Sequence, residues 1–505
     1  MSQNEPRLTK QVKWGALLSY FSIALNVVCG LLYTPWMVRQ IGQSQYGLYT
    51  LASSLIALFL VDFGLSSAAA RYVSNYRAEG AEDKIPGFLG AIYKLYIIID
   101  AVIFAALVAV FFCVDMIYAK LTPQELAQFK VVYCIAACYS VVNFPFVTLN
   151  GLLTAYEKFI HLKFADVLYR VLLVGMTVAA LLMGWGLYAL VTTHALAGLA
   201  VLVYKYIVIK KTTTVKVSFR GRTRGLYRDI FGYSVWVTVA TLAQRLVFNI
   251  TPSILGIVAN SAAIAVFGIV TTIEGYAYTV STAINGMFMP KISRIYAGEQ
   301  AQKEIMPLMI NVGRFQIAIN GLIVAGFACI GREFILLWMG ENYLSAYMGI
   351  LLVLVPGIFY NSMQIAHTTV MVQNKVKITA FVSVATGVTN VILSFILSRR
   401  YGVAGACISI FAAYMLRVIL LVLFYGRSLQ LDMPLFMKKC WLRILLPVAV
   451  TVASGAVIGR LPVHGWIGLA VKGAAVVLVY LVCMSVFFLS APERRRLMGR
   501  LRPQS

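Results

Sequence analysis

Apolar runs of about twenty residues or more recur along this chain from residue 14 to residue 490, separated by short polar breaks. A helix that crosses a bilayer needs roughly 20 such residues. Within lipid each backbone N–H and C=O must be satisfied inside the protein, so runs of this length fold as helices rather than open strands. Fourteen spans fit, at about 14–38, 45–69, 88–114, 127–153, 163–184, 186–209, 230–256, 263–289, 307–331, 346–372, 378–398, 403–425, 442–460 and 466–490. Only Gly184-Trp185-Gly186 divides the fifth from the sixth. Hydrophobic residues make up 61% of the 505 and charged ones 12%, against roughly 45–50% and 25% in soluble domains. The expected fold class is an all-α polytopic membrane protein without a sizeable soluble domain.

The net charge is +25, from 43 Lys and Arg against 18 Asp and Glu. In a soluble chain this would suggest nucleic acid. Here the basic residues fall between the apolar runs, which reads as topology and gives no nucleic-acid partner. With a cytoplasmic N-terminus, and with charges in the outermost four residues of a span counted with the adjoining loop, the cytoplasmic segments hold 29 of the Lys and Arg, the outer loops 7 and the spans 7. That bias predicts a bacterial inner-membrane protein with both termini in the cytoplasm. The run beginning at Trp14, after Arg7, Lys10 and Lys13, is too long for a signal peptide and reads as an uncleaved first span. The cluster from Lys210 to Arg228, and the tail with Arg494, Arg495, Arg496, Arg500 and Arg502, are expected against anionic membrane lipids.

The chain also repeats at a shift of 217 residues. Thr34-Pro35 falls on Thr251-Pro252, and Ala155-Tyr156-Glu157-Lys158 on Val372-Gln373-Asn374-Lys375. Gly186-Leu187-Tyr188-Ala189 meets Gly402-Val403-Ala404-Gly405 within one residue. The unit is six spans, an even number, so the two halves share an orientation, as in parallel-repeat transporters. The expected division is an N-terminal lobe at 1–209, a mobile basic linker at 210–229, a C-terminal lobe at 230–425, and spans thirteen and fourteen with the tail at 426–505.

Recognisable enzyme chemistry is absent from the sequence. No P-loop, dinucleotide fingerprint or nucleophile elbow occurs, and the four histidines are scattered. No cysteine pair has zinc spacing with histidine partners. Cys134 and Cys138 share a helix face and read as small packing residues. No enzyme and no metal are expected, which leaves secondary transport or a structural role.

The informative residues are the charges inside spans. Each costs on the order of 2.5–3.5 kcal/mol at a helix centre, so each is a functional candidate. The acids are Asp62, Asp100, Asp166 and Glu274; the bases are Lys94, Arg170, Lys205, Arg245, Arg314, Arg417 and Lys472. Arg245 and Glu274 lie near the middles of consecutive antiparallel spans and could meet at one depth. Asp166 and Arg170 are i,i+4 and are expected to pair. Lys205, Arg417 and Lys472 are read as snorkelling or facing neighbours. Asp62, before Phe63-Gly64, reads either as a functional group or as the cap of a kink. Lys94, Arg245 and Arg314 are expected to line a polar cavity. Pro35, Pro145, Pro252 and Pro356 are candidate hinges, because proline removes a helix hydrogen bond.

The stretches Tyr33-Thr34-Pro35-Trp36-Met37-Val38-Arg39-Gln40-Ile41-Gly42, Tyr46-Gly47-Leu48-Tyr49-Thr50 and Asp62-Phe63-Gly64-Leu65 through Arg71-Tyr72-Val73-Ser74 resemble polysaccharide-transporter flippases, including the O-antigen (Wzx-type) flippases. These belong to the multidrug, oligosaccharidyl-lipid and polysaccharide exporter superfamily. The resemblance implies two six-helix lobes in a V around a central cavity. It implies alternating-access translocation of a polyprenyl-pyrophosphate-linked oligosaccharide for surface polysaccharide (O-antigen) synthesis, alongside a glycan polymerase and glycosyltransferases. An anionic pyrophosphate would need Arg or Lys, and sugars would need groups such as Asn26, Gln244, Asn249, Asn285, Asn320, Asn361, Gln364 and Asn390. By analogy with the relatives' gate spans, Asp62, Arg71, Arg245 and Glu274 are preferred. The expected substrate-binding set is Arg245, Arg314, Lys94, Arg71 and Asn249; the coupling or gating set is Asp62, Asp100, Glu274, Asp166 and Arg170. No cofactor is expected beyond a coupling H+ or Na+, as in an antiporter. The alternatives are a cation-coupled multidrug exporter and a non-transporting scaffold of a glycan-assembly complex.

Overall fold

The computed structural model describes residues 5–213, 215–219, 226–283, 288–298, 301–373 and 375–488. Asn285, Asn374, the middle of the linker and the C-terminal arginine cluster lie outside the described residues. Nineteen α-helices follow in order, with no strand among the described residues: α1 (Glu5–Ile41), α2 (Gln43–Phe59), α3 (Leu65–Ala78), α4 (Ile85–Ile117), α5 (Pro123–Asn143), α6 (Thr148–Ala155), α7 (Phe159–Leu182), α8 (Gly186–Thr212), α9 (Leu226–Phe248), α10 (Thr251–Val258), α11 (Ser261–Thr282), α12 (Met289–Ala297), α13 (Ala301–Trp338), α14 (Ala346–Ser362), α15 (Gln364–Val372), α16 (Val376–Ser428), α17 (Met433–Phe436), α18 (Leu442–Ile458) and α19 (Gly465–Cys483).

Among the described residues eleven segments are long and apolar enough to cross a membrane, and the pair α14–α15, bent by 54°, makes a twelfth if it is one span. α16 is 53 residues long, about 80 Å at 1.5 Å per residue, more than twice the roughly 30 Å hydrocarbon core. It contains two spans. Gly402 adopts φ 53°, ψ −128°, a backbone open to glycine alone among common residues. Gly405 lies directly against the Leu397–Ser398 backbone, whereas eight residues of straight helix would separate them by about 12 Å. The chain therefore turns back at the division expected between spans eleven and twelve. Span two is instead two short helices, α2 and α3, interrupted at residues 60–64. Fourteen crossings result only when α16 counts as two and α2–α3 as one.

The chain forms two compact units, Met1–Gly268 and Ile269–Ser505. In the first, α7 packs on α1 and α8, α5 on α2, α4 and α8, and α3 on α6. α9 and α10 also belong to this unit, packed on α2, with α9 reaching α3. The described part of the linker is fastened here rather than loose: Ser218 N donates to the Pro86 carbonyl at 2.9 Å, and Lys94 Nζ to the Phe219 carbonyl at 2.6 Å. Gly90 permits this, because a Cβ there would collide with the Ser218 carbonyl. In the second unit α13 is the hub, contacting α14, α15, α18 and α19, while α14 packs along α16. Cys134 and Cys138 are exposed on α5, so they are not packing residues as their shared face suggested.

Candidate functional site

A helix that stops inside a membrane leaves its last carbonyls and the next N–H groups without partners. Span two stops at Phe59 and restarts at Leu65. The Ile56 and Phe59 carbonyls are taken by Leu60 N and Val61 N. The Ala57 carbonyl is taken by Arg245 Nη1 from α9. A guanidinium suits that position, since the helix C-terminus carries partial negative charge. On the other side of the break, Asp62 accepts from Ser66 N at 3.2 Å and from the Tyr96 hydroxyl on α4. Between them Phe63 has φ 52°, a left-handed conformation that costs a bulky L-residue on the order of 1–3 kcal/mol. Asp62 thus caps a kink.

The other interrupted spans of this unit meet the same place. Span seven breaks between α9 and α10, where Asn249 N returns to the Arg245 carbonyl at 3.0 Å. Pro252 occupies the first turn of α10, where its missing N–H is harmless. Pro145 lies in a one-turn 3₁₀ segment between α5 and α6. There the Val147 carbonyl accepts from Ser66 Oγ at 3.3 Å, and Phe144 meets Tyr96 edge-on at 5.3 Å. Pro35, by contrast, sits inside the continuous α1. The repeat's two prolines, Pro35 and Pro252, therefore do different things.

The in-span cations of the first unit share one property. Lys94 donates to the Phe219 carbonyl, Lys205 to Asn150 Oδ1 at 2.9 Å, Arg245 to the Ala57 carbonyl and Arg170 Nη2 to the Asn26 carbonyl at 3.2 Å. Among the described residues none has a carboxylate within ion-pair distance. The expected Asp166–Arg170 pair does not form. Asp166 is exposed and pairs with Lys163 at 3.4 Å, while Arg170 turns inward to α1. Arg71, expected to bind substrate, is exposed on α3. Its neighbour Arg77 is the engaged residue, donating to the Ala155 carbonyl at 2.8 Å and covering the Tyr156 ring. Asp100 lies on the buried face of α4 with Tyr96 and Ile103, and its Oδ1 is buried without a hydrogen-bond partner.

Glu125 escaped the sequence reading. It accepts from Ser44 Oγ and Ser261 Oγ, each at 2.5 Å, so one carboxylate joins the starts of α2, α5 and α11. The Thr122–Glu125 capping box is a legible signal for the helix start, but its long-range partners have none.

In the second unit Lys472 and Arg417 are more enclosed. Lys472, 3% exposed, pairs with Glu333 at 2.9 Å. Arg314 Nη2 donates to the Phe488 carbonyl at 2.9 Å and its guanidinium covers the Phe488 ring, so it holds the end of the last span. Arg417, 5% exposed, does not snorkel. Its guanidinium lies over Tyr360 at 4.7 Å and Tyr414 at 5.7 Å, and Nη2 reaches Ser383 Oγ at 3.4 Å. Glu274 lies one turn before Tyr278, which neighbours this cluster. Pro356 lies inside α14, whereas the 54° bend falls seven residues later, at Met363. Beside that bend Asn320 Oδ1 accepts from Ser281 Oγ at 2.8 Å and Asn361 Nδ2 at 3.1 Å. Trp441 Nε1 donates to Ser362 Oγ at 3.0 Å.

Comparison with known proteins identifies the family. The model of the polysaccharide biosynthesis protein family matches residues 14–296, more than half of the chain. The chain belongs to that family. The chain is also 22% identical over 419 residues to a Shigella flexneri protein whose name assigns it, provisionally, to O-antigen transport; the match covers 81% of this chain and 96% of that one. The fold resembles the lipid II flippase MurJ in its inward closed conformation, with TM-score 0.73 and 14% identity over 96% of this chain and 99% of that chain. It also resembles an inward-facing multidrug resistance MATE transporter of the MOP superfamily, with TM-score 0.69 and 12% identity over 84% and 99%. A MOP superfamily transporter from Pyrococcus furiosus aligns at TM-score 0.61 and 13% identity over 82% and 95%. At these identities the structural likeness speaks for the fold.

Proposed function

We propose that this family member is a flippase that translocates a polyprenyl-pyrophosphate-linked oligosaccharide across the bacterial inner membrane by alternating access, both termini being cytoplasmic. The observation that carries this reading is the charge state of the first unit's interior. Arg170 and Arg245 rest on neutral carbonyl oxygens, Lys205 rests on the Asn150 amide with Asp166 in electrostatic reach, and Lys94 rests on the Phe219 carbonyl at an exposed contact. A carbonyl orients a cation but does not cancel its charge, so these spans keep a positive potential that an anionic headgroup would neutralise. A pump for cationic drugs would instead set acids there. The amides and hydroxyls around Asn320 and Asn361 in the second unit supply the hydrogen-bonding chemistry sugars require. The substrate's own chemistry calls for glycosyltransferases upstream and a glycan polymerase downstream.

We assign H+ or Na+ coupling to Asp100, whose buried Oδ1 is unsatisfied within the protein. The test is inversion of a fluorescent lipid-linked oligosaccharide in proteoliposomes under an imposed ion gradient. Wild-type protein should move it at least tenfold faster than protein-free vesicles, and Asp100→Asn should lose the gradient's effect. Inversion no faster than in empty vesicles contradicts the function.

A further inference from the structure

We infer that the oxyanion of the substrate is held at Arg170, in a subsite completed by Tyr33, Tyr49 and Tyr169, and not at Arg245. The inference rests on the flippase reading and locates its headgroup site within the first unit.

The two arginines differ in what their donors already do. Arg245 sits at the end of α2, on a carbonyl that has no N–H of its own helix to meet. Drawing Arg245 onto a ligand would strip that carbonyl of its partner inside the membrane. Arg170 sits mid-helix in α7, and its one hydrogen bond among the described residues, at 3.2 Å, is to the Asn26 carbonyl in the interior of α1. That carbonyl can keep the N–H four residues on, so the arginine is a second and dispensable donor. Arg170 Nε is buried with no hydrogen-bond partner. A guanidinium has five N–H donors in a planar fork suited to phosphate or carboxylate, and this one has donors to spare.

The surroundings suit an oxyanion. Tyr33 on α1, Tyr49 on α2 and Tyr169 on α7 all lie within electrostatic reach of Arg170. All four side chains are only half-buried, unlike the enclosed Arg417. Phenol hydroxyls add donors without adding negative charge. Behind them, His194 packs edge-on between Tyr139 and Tyr169 at 5.6 and 5.7 Å, and Thr177 meets Thr193 at 2.7 Å. The His194 contact holds Tyr169 in place, and all three tyrosines stand on helices, α1, α2 and α7, rather than on a loop. The bound group is an oxyanion, either the pyrophosphate of the carrier or the carboxylate of an acidic sugar.

The experiment measures binding to full-length purified protein in detergent, using radiolabelled polyprenyl pyrophosphate with polyprenol as the uncharged control. Arg170→Ala should weaken polyprenyl pyrophosphate binding at least tenfold and leave polyprenol binding unchanged. Arg170→Lys should recover part of the loss, and Tyr33→Phe with Tyr49→Phe should weaken binding severalfold in a protein that melts like wild type. Competition by inorganic pyrophosphate identifies the carrier as the anion. If wild type instead discriminates glucuronate-bearing from neutral lipid-linked sugars, and Arg170→Ala abolishes that discrimination, the carboxylate is the anion. Wild-type affinity for both probe classes in Arg170→Ala, or an equal anion-specific loss in Arg245→Ala, overturns the assignment. Failure of inversion in wild-type proteoliposomes with the Arg170-dependent binding intact would remove the flippase reading and leave the subsite.

Discussion

The two units differ in one respect in how they hold charge inside the membrane: the second buries a lysine against a carboxylate, and the in-span cations of the first rest on neutral oxygens. In the first, four in-span cations rest on carbonyl or amide oxygens, and the broken second span is fastened by Asp62 and Arg245 acting separately on its two sides. In the second, Lys472 is buried against Glu333, and the bent tenth span is fastened by neutral groups, Trp441 on Ser362 and Asn361 on Asn320. A charge matched by an opposite charge is spent on structure. A charge matched only by a dipole keeps its field, and it is available to a ligand where, as at Arg170, the accepting carbonyl has another donor. The paired lysine holds α19 on α13, Arg245 caps the broken second span, and Arg170 is left for work that a neutral core does not require.

This contrast can be broken by substitution, and the expected effects are ordered by how much unsatisfied polarity each leaves behind. Lys472→Ala strands the Glu333 carboxylate, which should cost about 3–5 kcal/mol and lower the detergent melting temperature most. The double change Lys472→Met with Glu333→Leu should restore most of that loss. Asp62→Ala leaves the Tyr96 hydroxyl and Ser66 N–H without their acceptor, about 1–3 kcal/mol for each buried group; thermal melts should place it second. Arg245→Ala removes the cap from the Ala57 carbonyl and should cost about 1–2 kcal/mol, with Arg245→Lys losing less than half of it. Trp441→Phe, which deletes one neutral hydrogen bond, should cost about 0.5–1.5 kcal/mol. If Trp441→Phe proved worse than Asp62→Ala, the charged and neutral fastenings would not differ as described.

Much of the scaffold is legible in the residues themselves. Run length alone separates the spans, Gly402 marks the turn inside the 53-residue α16, and Asp62-Phe63-Gly64 marks a broken second span. What sequence spacing misreads is direction. Asp166 and Arg170 share a helix face at i,i+4, yet one faces out to Lys163 and the other in to α1. The side that a helix turns to its neighbours is set by packing between distant segments. Glu125 and Glu333 carry no long-range signal in the sequence for the same reason. Their partners, Ser44, Ser261 and Lys472, lie 81, 136 and 139 residues away. Proline 356 misleads in another way: its helix continues through it, because the bend is taken up at Met363.

The most direct test compares removal of an unneutralised charge with removal of a neutralised pair, measured as translocation per folded molecule. Lipid-linked oligosaccharide inversion should be recorded in proteoliposomes for Arg170→Ala and for the Lys472→Met, Glu333→Leu double variant, each normalised to monodisperse protein. The account predicts at least a tenfold loss for Arg170→Ala and a rate within twofold of wild type for the double variant. A wild-type rate in Arg170→Ala, or collapse of inversion in a well-folded double variant, would contradict it.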